Sequence, residues 1–230
     1  MYCFSQPALV AWGRQRTAPR RVEISILAVT LVVWFAAAAT TLGAAMPTTR
    51  YLAAPSGSSL IIKGTSTLHD WSVKTTALSG GAVLAQRRTA AGKAVFQLRS
   101  IHLTIVVKSL KSSEGGGMDD TMYDALNRRQ HPVITYHLTK ASLINAPAGR
   151  STPCVFNTTG TLMVNGVART IHLPLQVQRL KSGGLTITTE IQLKMTTFGV
   201  KPPTAMFGII HSGDAIKITA TWRLKASARR

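Results

Sequence analysis

Acidic residues and cysteines are scarce in this sequence. Its 230 residues include eight Asp and Glu against 27 Lys and Arg, which gives a formal net charge of +19. So few carboxylates exclude a calcium cage, which is built from such groups. Two cysteines exclude a disulfide scaffold and a zinc module built on cysteine ligands. The excess of positive charge instead favours an anionic partner, and a membrane surface and nucleic acid are the first candidates.

Aromatic side chains are too few for nucleic-acid binding through base stacking. They make up 6% of the sequence, whereas a single-strand-binding sheet interleaves aromatic and basic side chains. Five of the 14 lie within the first 35 residues, at Tyr2, Phe4, Trp12, Trp34 and Phe35. We therefore expect no nucleic-acid partner.

The spacings that mark catalytic and metal sites are also missing. None of the six histidines forms an H-x3-H or H-E-x-x-H motif, and there is no G-x-S-x-G, G-x-G-x-x-G or Walker sequence. The adjacent carboxylates of Asp119 and Asp120 would not face each other on a helix. The sequence therefore predicts no enzyme, no metal site and no protein cofactor.

The N-terminal segment has the three parts of a secretory signal. Residues 1–23 carry four arginines and one acid, residues 24–46 carry no charge, and residues 43–45 (Gly-Ala-Ala) are small. This order predicts a signal peptide over residues 1–45 and a periplasmic protein. The alternative is an uncleaved inner-membrane anchor, because 23 uncharged residues are long enough to span a bilayer.

The rest of the chain is dominated by alternation of apolar and polar residues. Residues 46–57 are rich in Pro, Gly and Thr and predict a linker, residues 58–226 predict one domain, and residues 227–230 form a basic tail. Residues 216–225, for example, alternate strictly, as expected for a strand with one buried face. Asn165 and Gly166 lie between two such runs and predict a tight hairpin.

One helix interrupts the predicted strands. Residues 118–129 follow three glycines and end before His131 and Pro132, with acids in the first turn and arginines in the last. Strands with one apolar face must bury those faces together, and closing the sheet removes its edges. We therefore predict an all-β, up-and-down antiparallel barrel of about eight strands with one short inserted helix, preceded by the N-terminal signal helix.

Several blocks of the sequence together resemble the YceI-like family, in a branch that opens with His-Asp-Trp. They are residues 64–71 (GTSTLHDW), 108–138, 160–166, 198–205 (FGVKPPTA) and 213–214. The opening differs from the commoner HS.v.F, which bears on the identity of the ligand. The resemblance covers residues 58–224 and implies a lipocalin-like barrel, exported to the bacterial periplasm, that binds a long apolar chain such as a polyisoprenoid.

Such a ligand binds through burial of apolar surface, worth about 25 cal/mol per Å², so its site must be the inward face of the strands. The candidate residues are Trp71, Val73, Phe96, Leu98, Leu103, Ile105, Ile134, Tyr136, Leu162, Val164, Leu173, Leu175, Ile187, Ile191, Ile218 and Trp222. The same residues would also fill a solid core, and the alternative is therefore a ligand-free periplasmic stress or interaction module.

A second group of residues is expected at the barrel mouth. His69, Asp70 and Phe198 are candidates for contact with a ligand head group, and Met118 and Met122 for gating. A phosphate head would suit a basic rim of Lys108, Lys111, Arg128, Arg129 and Lys201; a quinone is the other candidate head. The alternatives are that the methionines fix the helix to the barrel and that residues 66–70 form a hydrogen-bonded turn.

Overall fold

A computed structural model of the protein describes residues 46–90, 92, 94–146, 152–205 and 209–227. The predicted signal peptide and residues 228–230 of the predicted tail lie outside these residues. The elements in chain order are β1 (Thr48–Ala53), β2 (Ser59–Ser66), β3 (Trp71–Thr75), β4 (Leu78–Arg88), β5 (Ala94–Val106), β6 (Lys111–Ser112), α1 (Gly116–Ala125), β7 (Val133–Asn145), β8 (Cys154–Val164), β9 (Val167–Arg179), β10 (Leu185–Lys194), β11 (Thr204–Ala205) and β12 (Ile210–Ala226). Short 3-10 segments span Val107–Ser109 and Met195–Phe198. Within the described ranges, no helix has the length and apolarity needed to cross a bilayer.

Eight strands form a closed ring of antiparallel pairs, in the order β1, β4, β5, β7, β8, β9, β10, β12 and back to β1. The ring is not a strict barrel, because β12 changes partners along its length. Its residues 224–226 pair with β1, whereas residues 216–221 pair with β2, which leads on to β3 and β6. The predicted all-β ring of about eight strands with one inserted helix is confirmed.

A bulge in β5 keeps the apolar side chains of both its halves inside the ring. Leu98 and Ile101 are both buried although they are three positions apart, and strict alternation would place them on opposite faces. Leu98 and Ser100 pair with adjacent residues of β4, so Arg99 has no partner on that strand. The extra residue restores the inward phase for the second half of the strand.

The hairpin between β8 and β9 has the predicted turn. Val164 pairs with Val167, and the two residues between them have positive φ angles of 51° at Asn165 and 73° at Gly166. A two-residue turn with both central residues in the left-handed region matches the twist of the flanking strands, and Asn-Gly tolerates that conformation.

Residues 46–57 differ from the expected linker, because they contain β1. Tyr51 in this strand is only 2% exposed and pairs with Ala226 of β12 on one side and Ala82 of β4 on the other. The strand is held by pairing with segments far away in sequence. Its short local pattern of Thr, Arg and one buried aromatic does not reveal such pairing.

Helix α1 starts two residues earlier and ends four residues earlier than predicted. Asn127 adopts a positive φ of 50°, and the chain makes turns over residues 126–130. The expected placement of Arg128 and Arg129 in the last helical turn is therefore wrong, and that turn holds no basic residue. The left-handed residue ends the helix before the arginines are reached.

The two ends of the ring are filled differently. At one end, which we call the packed end, large side chains such as Tyr51, Phe96 and Phe156 are buried in the hydrophobic core. Cys154 also lies buried there, and burial raises the pKa of its thiol to about 11. At the other end, the helix end, lie α1 and the 3-10 segment Met195–Phe198.

Candidate functional site

The interior of the ring is hollow between the packed end and the helix end. A cavity of about 210 Å³ lies there, and its wall is almost entirely hydrocarbon. The predicted interior residues on this wall are Trp71, Val73, Leu103, Ile105, Ile134, Tyr136, Leu162, Val164, Leu173, Leu175, Ile187, Ile191, Ile218 and Trp222. The inward phase of the strands therefore brings these side chains together around one space, while their role in binding remains a prediction.

Two of the predicted interior residues lie elsewhere. Phe96 and Leu98 are 6% and 4% exposed, but they are not among the cavity-lining residues. They occupy the first half of β5, before the bulge, where the packed end is solid. Alternation alone predicted their burial but not how far along the ring the cavity extends.

Sequence reasoning missed several wall residues. They are Leu60, Ile62, Leu78, Ile101, Leu110, Ala125, Leu126, Ile171, Leu193, Met195, Val200, Pro203, Ile216 and Ala220. Five of them, Ile101, Ile171, Leu193, Ile216 and Ala220, share the inward phase of predicted residues on the same strands, so the strand pattern carried the signal for them. Leu110, Met195 and Val200 lie outside regular strands and carry no such pattern.

Trp71 is fixed on the wall by a glycine and a backbone carbonyl. Its ring lies over Gly64 of the paired strand β2, where a Cβ atom would be 2.2 Å from ring atom Cζ2. Its indole Nε1 donates to the carbonyl of Thr65 at 3.0 Å. This pairing satisfies the polar atom and turns the rest of the ring toward the cavity.

Tyr136 uses the same arrangement and adds a polar atom. Its ring lies over Gly160 of β8, where a Cβ would be 2.4 Å from the hydroxyl oxygen. The hydroxyl is 3.4 Å from the hydroxyl of Thr158, which itself donates to the Leu173 carbonyl at 2.8 Å. Burial raises the pKa of Tyr136, so the wall carries a neutral hydroxyl there.

Helix α1 places Met118 and Met122 on the cavity wall at the helix end. Asp119 is buried beneath the helix, where its carboxylate accepts from the Ser112 N–H at 2.6 Å and from the Lys111 ammonium at 2.9 Å. These two donors hold the pKa of Asp119 below its usual value. Asp119 therefore fixes the helix in place, in addition to the favourable interaction of an acid in the first turn with the helix dipole.

Phe198 lines the cavity from the 3-10 segment Met195–Phe198. The carboxylate of Asp214 holds this segment, accepting from the Thr196 N–H at 2.9 Å and from the Thr196 hydroxyl at 2.7 Å. The same donors lower the pKa of Asp214. Lys194, just before the segment, borders the cavity at the end of β10, but its side chain is exposed and lies in the outward phase of that strand.

His69 and Asp70 are exposed and do not line the cavity. Ser66 holds their turn, since its hydroxyl oxygen accepts from the N–H groups of Leu68 and His69 and its O–H donates to the His69 carbonyl. His69 Nδ1 is 3.5 Å from a carboxylate oxygen of Glu114. The turn directs Trp71 inward and leaves the preceding pair outside, so the hydrogen-bonded turn is the arrangement observed.

The expected basic rim is only partly available to a ligand. Lys111 pairs with Asp119, and the Arg128 guanidinium carbon lies 5.0 Å from the centroid of the Tyr123 ring. Both cations therefore help to hold α1. Lys108, Arg129 and Lys201 are exposed.

The sequence that forms this ring of antiparallel strands around an apolar cavity matches the model of a known protein family. The family model described as YceI-like domain matches residues 51–224. The chain belongs to the YceI-like family. The resemblance inferred from the sequence motifs is therefore confirmed, and no curated protein matches this YceI-like chain.

Two solved structures are similar to this YceI-like protein. BcnA of Burkholderia cenocepacia is 21% identical, with a TM-score of 0.50 over 72% of this chain and 95% of that one. A polyisoprenoid binding domain from Saccharophagus degradans, described as implicated in plant cell wall breakdown, is 17% identical, with a TM-score of 0.56 over 79% of this chain and 100% of that one. These similarities support the predicted lipocalin-like fold.

Proposed function

We propose that this YceI-like protein binds a long-chain apolar lipid, a polyisoprenoid or a similar chain, inside its cavity. We further propose that it carries or sequesters this lipid in the periplasm without transforming it. The observation that supports this is the hollow, hydrocarbon-lined interior. A long apolar chain gains free energy there in proportion to the surface it removes from water.

The ends of the cavity suggest how the lipid would lie. The packed end is closed by large side chains, whereas the adaptable Met118 and Met122 line the cavity at the helix end, and Lys194 is exposed at the same end. The proposed lipid enters tail first from the helix end and leaves a phosphate or quinone head near Lys194. A phosphate head gains more from this cation than a quinone does.

Fold and charge supply independent support. The similar structure from Saccharophagus degradans is described as a polyisoprenoid binding domain, and it shares this fold. The formal net charge, +19 for the whole chain and +16 without the predicted signal peptide, favours approach to an anionic membrane surface, where such lipids reside. The predicted signal peptide would place the protein beside that surface.

The proposal is tested by extracting the purified protein with organic solvent and identifying bound lipid by mass spectrometry. Ala220 lies on the cavity wall and Thr219, its neighbour on β12, is exposed on the outside. We expect Ala220→Phe to reduce both the bound lipid and the uptake of an added polyprenyl compound, because the ring occupies the cavity. Thr219→Phe is the matched control and should retain both.

Thermal unfolding of both variants shows whether the ring still forms. A folded wild-type protein that repeatedly yields no lipid and takes up no added polyprenyl compound would contradict the proposal. That result would favour a periplasmic stress or interaction module. Equal lipid content in the two variants would place the ligand outside the cavity.

A further inference from the structure

Two histidines face each other on the outer surface of the ring, away from the cavity. His102 of β5 and His137 of β7 are direct cross-strand partners, and both are exposed. Neither lines the cavity, and the proposed lipid site uses neither. The two histidines are 35 positions apart in the sequence, so no short spacing motif identifies them as a pair.

The two rings meet through the same nitrogen of each. His102 Nδ1 is 3.1 Å from His137 Nδ1, and the ring centroids are 4.3 Å apart with the planes inclined by 57°. A metal bound to two imidazole nitrogens at about 2.0–2.1 Å holds them about 2.9 Å apart at a right angle and about 3.3 Å apart at the tetrahedral angle. At 3.1 Å the two nitrogens are also within hydrogen-bond distance, so one of them carries a proton between them. Because the separation lies between the two values above, an ion that replaces this proton requires little change in the distance between the nitrogens.

The far side of the His102 ring has a partner that suits this role. Its Nε2 is 3.3 Å from the hydroxyl of Thr104 on the same strand. When Nδ1 binds a metal, Nε2 carries the hydrogen and donates it to that oxygen. Metal-bound histidines commonly have such a partner, which fixes the tautomer and the orientation of the ring.

The neighbours of the pair leave space and add no charge. In the same row across the sheet, His102 pairs with Gly81 on its other side and His137 pairs with Thr161. Neither neighbour has a charged side chain that would compete for the imidazoles. Within the part of the chain that the structure describes, no group of three or more His, Cys, Asp and Glu could hold a metal ion. An ion bound here would therefore have two protein ligands and keep the rest of its coordination sphere for water or small anions.

We propose that His102 and His137 form a bidentate surface site for a divalent transition-metal ion, with Cu²⁺ bound most strongly. Neutral imidazole is a good ligand for copper, nickel and zinc, and affinity at nitrogen sites rises to a maximum at Cu²⁺ along the first transition row. This site is independent of the lipid cavity. It also departs from the sequence-based expectation of no metal site, which rested on the spacing of histidines along the chain.

The test is a titration of the purified protein with Cu²⁺, in which calorimetry measures the binding and electron paramagnetic resonance identifies the ligands. We expect one ion per chain with a spectrum that shows two nitrogen ligands. His102→Asn and His137→Asn should each weaken binding more than about tenfold, because even the hydrogen-bond partners of metal-bound histidines contribute about 10- to 100-fold. The double variant should be little worse than either single variant, since both remove the same chelate.

His172→Asn is the matched control. His172 is also exposed on the sheet, but its Nδ1 is 3.1 Å from the hydroxyl of Thr159 instead of a second imidazole. This variant should bind Cu²⁺ as the wild type does, and unfolding of the metal-free variants verifies their fold. No binding to the wild type, or equal binding by the wild type and a folded His102→Asn variant, would overturn the proposal.

Discussion

Two glycines of this protein lie directly beneath aromatic rings of the cavity wall. Gly64 lies under Trp71 and Gly160 under Tyr136, and in both cases a Cβ atom would overlap the ring. Neither glycine has a positive φ, so the backbone conformation does not require them. Their role is to let a large aromatic side chain lie flat against the neighbouring strand on the cavity wall.

Gly64→Ala tests this role. The added methyl group would lie 2.2 Å from the Trp71 ring and must displace it. We expect a loss of about 1–3 kcal/mol in the free energy of unfolding, as for other overpacked cores. Urea unfolding followed by the fluorescence of the tryptophans measures both the stability and the displaced ring.

The matched control for this substitution is Gly117→Ala. Gly117 lies in α1, and a Cβ atom there would meet nothing within 4 Å apart from its chain neighbours and the helix's own backbone. Alanine is favoured over glycine in a helix by about 0.5–1 kcal/mol, so this variant should be as stable as the wild type or more so. Equal destabilisation by both substitutions would show that the contact with Trp71 does not matter.

Single residues also show what a sequence pattern can and cannot predict. The inward position of Ile187 or Leu173 follows from alternation, because side chains on a strand point to opposite faces in turn. The pairing of His102 with His137 depends on the register between two strands, which no local pattern gives. His69 and Asp70 were predicted as head-group contacts from their neighbour Trp71, but their turn between β2 and β3 leaves both exposed and off the cavity wall.

Among the elements, β1 shows how far the closure of the ring depends on tertiary contacts. It forms three residue pairs with β12 and five with β4, and it therefore closes the eight-stranded ring between these two strands. Its sequence lacks a long alternating run, and composition therefore predicted a linker. A strand such as β1, which is held in place by pairing with two longer strands, is not recognisable from its own residues.

Tyr51→Ala tests the contribution of β1 to the ring. Tyr51 is 2% exposed at the packed end, and its removal leaves a cavity between β4 and β12. We expect a loss of about 3–5 kcal/mol in the free energy of unfolding, as for other large aromatic residues in cores. Chemical denaturation of the purified variant gives this value.

Leu52→Ala is the control from the same strand. Leu52 is 43% exposed on the opposite face, so its loss should change the stability by less than about 0.5 kcal/mol. If residues 46–57 behave as a linker in solution, the two substitutions will have equally small effects. That outcome would contradict the pairing of β1 described above.

At the scale of the whole molecule, the ring has two unlike ends, and the cavity lies nearer one of them. Alternation predicted that apolar faces would be buried together and that about eight strands would close. It did not predict a hollow interior, because the same apolar residues can pack solidly, as Phe96, Leu98 and Phe156 do at the packed end. Whether opposite walls meet depends on the width of the ring and on side-chain volumes across it.

The difference between the ends also bears on the proposed approach to a membrane. Two exposed apolar side chains project from adjacent loops at the helix end. Leu68 is 65% exposed and Ile209 is 75% exposed, and the hydroxyl of Thr67 donates to the Ile209 carbonyl at 3.2 Å. Lipid exchange through the helix end would bring these side chains to the bilayer first, with the net positive charge attracting the protein to anionic lipid.

Leu68→Asp tests this orientation in sedimentation with lipid vesicles. We expect the wild-type protein to bind vesicles containing anionic lipid, and to bind less as salt screens the attraction over a Debye length of about 10 Å at 0.1 M. The substitution should weaken binding because it places a carboxylate against the anionic surface. Ile144→Asp makes the same charge change at the packed end, where Ile144 is 52% exposed, and should bind almost as the wild type does. Equal losses in the two variants would mean that net charge alone governs binding, and stronger loss in Ile144→Asp would mean that the packed end faces the membrane.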